Sequence, residues 1–210
     1  YFMGLDIVMF KDQFTPQQKM DICTFEEGDP TENPWVKGKP AQIHIEIVPH
    51  NPNWLIQFNE QKLLIQNALS DIALSIEHIG STAVAGLAAK PIIDIDLIIE
   101  NPKDESSYIP QLEALGYELI IREPSWYQHR MLKLSNPMVN LHVFGKNCPE
   151  HWRHLLFKQW LTTHPDDLAN YATIKQFAKH NVKTTQDYNL KKQSLVRAIY
   201  QKIFTSLIGD

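Results

Sequence analysis

The chain has 210 residues, 20 basic and 24 acidic side chains, and a net charge of −4. At roughly 100–200 residues per domain this makes one domain, or one domain with a small appendage. Hydrophobic residues at 43% and charged residues at 21% exclude collagen-like, mucin-like and wholly disordered classes, and the mildly acidic balance argues against nucleic acid or anionic membranes as partners.

Residues 1–42 read as an irregular N-terminal arm; Thr24–Pro40, with its prolines, glycines and acids, suits a lid or a strap. Residues 43–210 read as one domain. Ile43–Ile47 alternates and predicts a strand. Pro52–Ser70 places apolar residues at helical spacing, with Asn51 or Asn53 as cap. Leu74–Ile79 is a short strand, Gly80–Ala89 a turn of small residues, and Pro91–Ile99 a β-branched strand. Asp104–Leu115 predicts a helix closed by Gly116. Tyr117–Arg122, Trp126–Leu134 and Val139–Phe144 predict three strands, the last two joined by a turn at Ser135–Asn136–Pro137. Pro149–Thr163, Pro165–His180 and Gln186 to about Leu207 predict three helices, the first two opened by proline. The order implies an α+β fold: a mixed β-sheet with helices on one side and a C-terminal helical layer. Two distant cysteines, Cys23 and Cys148, point to a reducing, cytoplasmic setting. No apolar run reaches the ~20 residues of a membrane helix, and the opening residues lack a secretory pattern.

The chemistry lies between His78 and Asp96. Asp94 and Asp96 sit two apart on an isoleucine-rich strand, so they share a face, about 7 Å apart at Cα. Two buried carboxylates side by side are costly. A divalent cation removes that cost, and oxygen-only ligands favour Mg²⁺ or Mn²⁺; the bland alternative is an Asp96 at the sheet edge meeting solvent or a lysine. Upstream, Gly80–Ser81–Thr82 offers free amides, two hydroxyls and a glycine that permits close approach to a phosphate.

A glycine–serine turn followed by Asp94-Ile95-Asp96 resembles the polymerase-β-like nucleotidyltransferase superfamily. More closely, Ile47–Trp54, His78–Asp94, Trp126–Met131, Asn140–Phe144 and Leu155–Leu161 with His164–Pro165 resemble the GrpB family of that superfamily, over roughly residues 43–205. The resemblance implies that Gly80, Ser81 and Thr82 cradle a nucleoside triphosphate, and that Asp94 and Asp96 hold Mg²⁺ or Mn²⁺ for nucleotidyl transfer to an acceptor the sequence does not name. A non-catalytic nucleotide-binding module on the same fold is the alternative. The superfamily's third carboxylate has no counterpart on Val139–Phe144, which offers Asn140 and His142 instead. His142 reads as a neutral ligand or general base, or as a hydrogen-bonded wall residue.

Lys90 reads as a phosphate contact, as an offset to the Asp94 charge or as a solvated loop residue, and Arg130 as a stabiliser of transferring phosphorus or a surface ion-pair partner. Adjacent on a strand, His129 and Arg130 face opposite ways, so one site takes at most one of them. His78 either orients the glycine turn or fills the core. Cys148, His151 and His154 read as a helix start with exposed histidines rather than a metal site. The lysines at 175, 179, 183, 191 and 192 read chiefly as a solvated face.

Overall fold

A computed structural model describes residues 11–38 and 45–209. Its centre is a five-stranded mixed sheet in the order β1-β2-β5-β4-β3, formed by β1 (Ser75–Ile79), β2 (Ile93–Ile99), β3 (Glu118–Glu123), β4 (His129–Ser135) and β5 (Met138–Gly145). β2 and β5 are parallel; the other neighbours are antiparallel. β2 lies between β1 and β5 with both faces covered, which accounts for its nearly continuous apolar sequence.

Alternation along β2 and β5 divides the sheet into two faces. Ile93, Ile95, Leu97 and Ile99 join Val139, Leu141 and Val143 in the larger core. That face is covered by α2 (Asn53–Leu69) and α3 (Ile109–Ala114). Trp54, Phe58, Gln61, Ile65 and Leu69 recur at three- and four-residue intervals on the buried stripe of α2. Its one polar member, Gln61, accepts a 2.9 Å hydrogen bond from the Tyr117 hydroxyl. The opposite face meets a layer built from α4 (Pro149–Thr163), α5 (Pro165–Ala178) and α6 (Thr185–Ile208), whose own core includes Leu156, Trp160, Ile199 and Ile203. The α+β architecture and its C-terminal helical layer are therefore as expected.

Four elements differ from expectation. The strand expected from Trp126 begins only at His129, because residues 124–128 form a turn with Tyr127 and Gln128 at positive φ. The 104–115 segment is a 3₁₀ turn, Glu105–Ser107, followed by the short α3, because Pro110 lacks an N–H and sits at the start of a helix rather than within one. The strand expected at Ile43–Ile47 begins outside the described residues; residues 45–47 are not strand, and Val48 forms a lone bridge with Ala89. The N-terminal arm is not wholly irregular: α1 (Pro16–Cys23) is a helix with a Thr15–Gln18 capping box. The 24–38 stretch that follows is irregular and bridges the β3 edge through Trp35 and Ile121. No helix among the described residues is long and apolar enough to cross a membrane.

Candidate functional site

The strand registers set Asp94 beside Asn140 and Asp96 beside His142, on the face turned toward the C-terminal helices. Met131 pairs with His142, so His129, Met131 and Lys133 of β4 share this face. Arg130 lies on the other face, where its guanidinium bonds Glu105 at 2.7 Å alongside Arg122. The role foreseen for Arg130 at a transferring phosphorus is thereby removed by strand alternation.

A cavity of about 540 Å³ lies over the site face, within the range of small-molecule pockets. Asp94, Asn140, His142 and the Gly80–Thr82 turn form one side, and Phe157, Tyr171 and Tyr188 of the helical layer form the other. Trp35 of the arm also contributes, so the arm borders the site.

Gly80 has φ +70°, and a Cβ there would lie 2.6 Å from Asp94 Oδ2. Glycine is required twice, by the left-handed backbone and by the close approach of Asp94. Ser81 is half-buried, and its hydroxyl has no partner among the described residues. Thr82 behaves differently: it is buried, its hydroxyl donates to the Ile92 carbonyl at 3.2 Å, and it receives the His78 Nε2 proton at 3.0 Å. Its side chain thus pins the turn to β2 and is not turned over to a ligand. His78 stacks on Phe58, and burial, aided by Lys158, pushes its pKa down to about 4. A neutral core histidine therefore orients the turn, combining both of its readings.

The two aspartates have different environments. Asp94 borders the cavity and accepts from Asn140 Nδ2 at 2.8 Å. Burial raises its pKa against the opposing pull of Asn140 and Lys90. Asp96 is fully buried. His151 Nδ1 donates to its Oδ2 at 2.9 Å, and His154 Nδ1 lies 2.9 Å and 3.2 Å from its two oxygens. Burial alone would lower the His154 pKa, but the Asp96 carboxylate overrides it and raises it to about 9. Asp96 in turn is held well below the usual carboxylate range, since the charge of His154 and the two imidazole hydrogen bonds outweigh its desolvation. Neither histidine is the exposed residue expected at a helix start. α4 lies on the sheet, and the three-residue spacing of His151 and His154 brings both onto Asp96.

His142 borders the cavity beside this pair. Burial, reinforced by His129, pushes its pKa down to about 3. Its Nδ1 lies 3.0 Å from His129 Nε2, and His129 Nδ1 lies 2.7 Å from Glu123. The carboxylate only accepts, so His129 Nδ1 carries a proton. One further proton lies between His129 Nε2 and His142 Nδ1. A carboxylate–imidazole–imidazole chain thus runs from the β3 edge to the cavity.

Lysine is the other abundant type here. Lys90, Lys133, Lys158, Lys175 and Lys192 all border the cavity. Lys175 is buried and donates to the Ala88 carbonyl at 2.6 Å; Lys158 donates to the His78 carbonyl at 2.8 Å. Burial, together with Lys192 and Lys90, pushes the Lys175 pKa down to about 7. Burial also lowers those of Lys90 and Lys158. Among the described residues none of the five is within ion-pair distance of a carboxylate. The basic C-terminal stretch is therefore only partly a solvated face, since Lys175 and Lys192 point inward.

These donors do not form the two-ion carboxylate centre implied by the superfamily resemblance. Mg²⁺ takes near-octahedral oxygen donors. Both Asp96 oxygens are engaged by imidazoles, one Asp94 oxygen by Asn140, and the third position holds His142. Among the described residues no group of three or more His, Cys, Asp or Glu side chains is disposed to hold a metal ion.

The GrpB protein family model matches residues 44–202. A UPF0157 protein of Halalkalibacterium halodurans is 41% identical over 165 residues, 78% of this chain and 85% of the relative. The crystal structure of the conserved protein GrpB from Enterococcus faecalis overlays with a TM-score of 0.67 and 28% identity, over 77% of this chain and 98% of that one. The Cid1 poly(U) polymerase with Mg and 3'-dATP overlays at a TM-score of 0.42 and 12% identity, over 69% of this chain and 49% of that one, too loosely to transfer chemistry. With the match spanning the glycine turn, both aspartates and most of the helical layer over them, this chain belongs to the GrpB family.

Proposed function

We propose that the cavity binds a phosphorylated ligand, best matched by a nucleoside triphosphate, in a module whose role is binding rather than transfer. The observation that carries this reading is the convergence of five lysines without carboxylate partners on one cavity beside the Gly80–Ser81 turn. Partly buried cations with no carboxylate in direct contact are held at a cost, and a polyanion offsets it. Ser81 supplies a free hydroxyl, the turn supplies backbone amides, and Tyr171 and Tyr188 give aromatic surface for the rest of the ligand. Calorimetric titration with ATP tests the reading. Binding is expected to weaken at least tenfold in a Lys90→Met/Lys192→Met variant and to fall with rising salt. Absence of binding, or an affinity indifferent to the lysines, overturns it.

One observation favours nucleotidyl transfer as a second reading: Asp94 packs directly on the glycine turn at the cavity wall. Against it stand the missing third acid and the absence, among the described residues, of an open carboxylate pair. Incubation with an α-labelled triphosphate and Mn²⁺ separates the two readings. Label on any acceptor establishes transfer; its absence alongside tight binding establishes the module.

A further inference from the structure

Asp96 lies where the superfamily resemblance places a metal ligand, yet both of its oxygens are already taken. His154 spans both of its carboxylate oxygens, at 2.9 Å and 3.2 Å, and His151 adds a third hydrogen bond at 2.9 Å. This arrangement is buried, with Asp96 inaccessible and His151 nearly so. It is also braced from several sides. Glu150 lies 3.5 Å from His154 Nε2 on the same helix, while His142 and Phe144 of β5 stand about 6 Å from its ring. Asp94 adds its charge from β2. A divalent ion at Asp96 would have to displace both imidazoles and give up three hydrogen bonds to a fully buried carboxylate, a costly exchange. Imidazole N–H groups already occupy both Asp96 oxygens, and His154 itself borders the cavity.

We infer that His151 and His154 occupy the place of a metal ion at Asp96, so that this chain takes the phosphates of its ligand on its lysines without a divalent cation. The inference rests on the phosphate-binding reading for its ligand but not for its cation chemistry. Coulomb attraction between a held cation and phosphate is of the same kind whether a metal or a protonated nitrogen carries the charge. The second histidine keeps the buried carboxylate satisfied, so His154 is anchored on one edge by Asp96 and faces Glu150 with the other.

Three measurements decide it. Mn²⁺ titration of the wild-type protein, followed by electron paramagnetic resonance, is expected to show no tightly held ion. A His151→Ala/His154→Ala variant, with folding checked by circular dichroism, is expected to hold Mn²⁺ at least tenfold more tightly, because the carboxylates of Asp96 and Glu150 are uncovered. Wild-type Mn²⁺ binding that the variant leaves unchanged or weakens overturns the inference. Should the variant not fold, nitrogen-15 spectra of the wild-type imidazoles serve in its place: the Nδ1 protons of His151 and His154 are expected to stay in place in millimolar Mg²⁺, and their loss on adding Mg²⁺ overturns the inference. The third measurement is tripolyphosphate affinity, expected to agree within twofold between Mg²⁺ and chelator buffers. A loss of tenfold or more in chelator overturns the inference, whereas no tripolyphosphate binding in either buffer overturns the phosphate reading and leaves the Mn²⁺ titration to decide the cation question.

Discussion

Gly80 joins the turn to the aspartate strand, and its substitution is the sharpest single-residue test of the site. A methyl group there meets Asp94 Oδ2 at 2.6 Å on a backbone at φ +70°. Gly80→Ala is expected to cost about 1–3 kcal/mol in denaturant titration, from left-handed strain together with the clash. Because Asp94 must swing away, ligand affinity is expected to fall with it. At Asp96 the diagnostic variable is pH. The His154 pKa lies near 9 in the fold against an ordinary 6.5. The pair's contribution is therefore complete below about pH 6.5 and is lost as pH rises through 9. Asp96 has the opposite dependence, its share being lost only in strong acid. Thermal unfolding across pH 6–10 is expected to show an alkaline decline in the wild type that Asp96→Asn flattens. An equal slope in both proteins would show that the pair is not charged as described.

Helix α4 connects the site to the rest of the chain. One side places His151 and His154 on Asp96, and Lys158 continues toward the cavity one turn later. Between them Arg153 turns away, fully buried, toward the arm. Its Nη1 donates to the carbonyls of Asp21, Ile22 and Thr24 at the end of α1, at 3.1, 2.9 and 3.1 Å. Its Nε bonds Glu150 at 2.6 Å, and its Nη2 donates to the Tyr127 hydroxyl at 2.7 Å. A guanidinium suits this place because helix C-terminal carbonyls carry partial negative charge and several must be satisfied together. Arg153→Met is expected to cost about 3 kcal/mol through unpaired buried groups. It is also expected to make residues 24–38 the first site of proteolytic nicking, which mass spectrometry of a limited digest would locate. If the arm stays protected, Trp35 and its bridge to β3 hold it without Arg153.

Across the whole molecule the lysine-lined cavity opposes stability. Lys175 is buried with its pKa near 7 against an ordinary 10.5. A lysine whose folded pKa is lowered destabilises the fold while the unfolded chain is charged, and the penalty eases only as pH rises from 7 toward 10.5. Lys175→Met is therefore expected to raise the melting temperature at pH 7, with the gain shrinking by pH 10, and to weaken phosphate binding at pH 6–7 but not at pH 10, where Lys175 is already neutral. A lower melting temperature for Lys175→Met at pH 7 would mean that the bond to the Ala88 carbonyl outweighs burial of the charge. Such a trade of stability for a charged site is common where binding or catalysis needs groups that the fold alone does not favour.

Local patterns carried most of the architecture. Proline at first turns set the starts of α4 and α5, and alternation along β2 and β5 placed two aspartates on one face. The glycine turn was legible for the same reason, since only glycine combines that backbone with the closeness of its neighbour. What each aspartate meets depends on contacts between residues dozens of positions apart, and spacing along a chain does not encode such contacts. His151 and His154 belong to Asp96 because α4 crosses the sheet over β2, 55 and 58 residues downstream. Arg130 leaves the site, and His129 joins it through His142, because pairing fixes which way β4 turns its alternating side chains. Residue types and their local order are properties of the string; partners across the sheet are properties of packing, and packing set one carboxylate of the pair at a cavity and the other against two imidazoles.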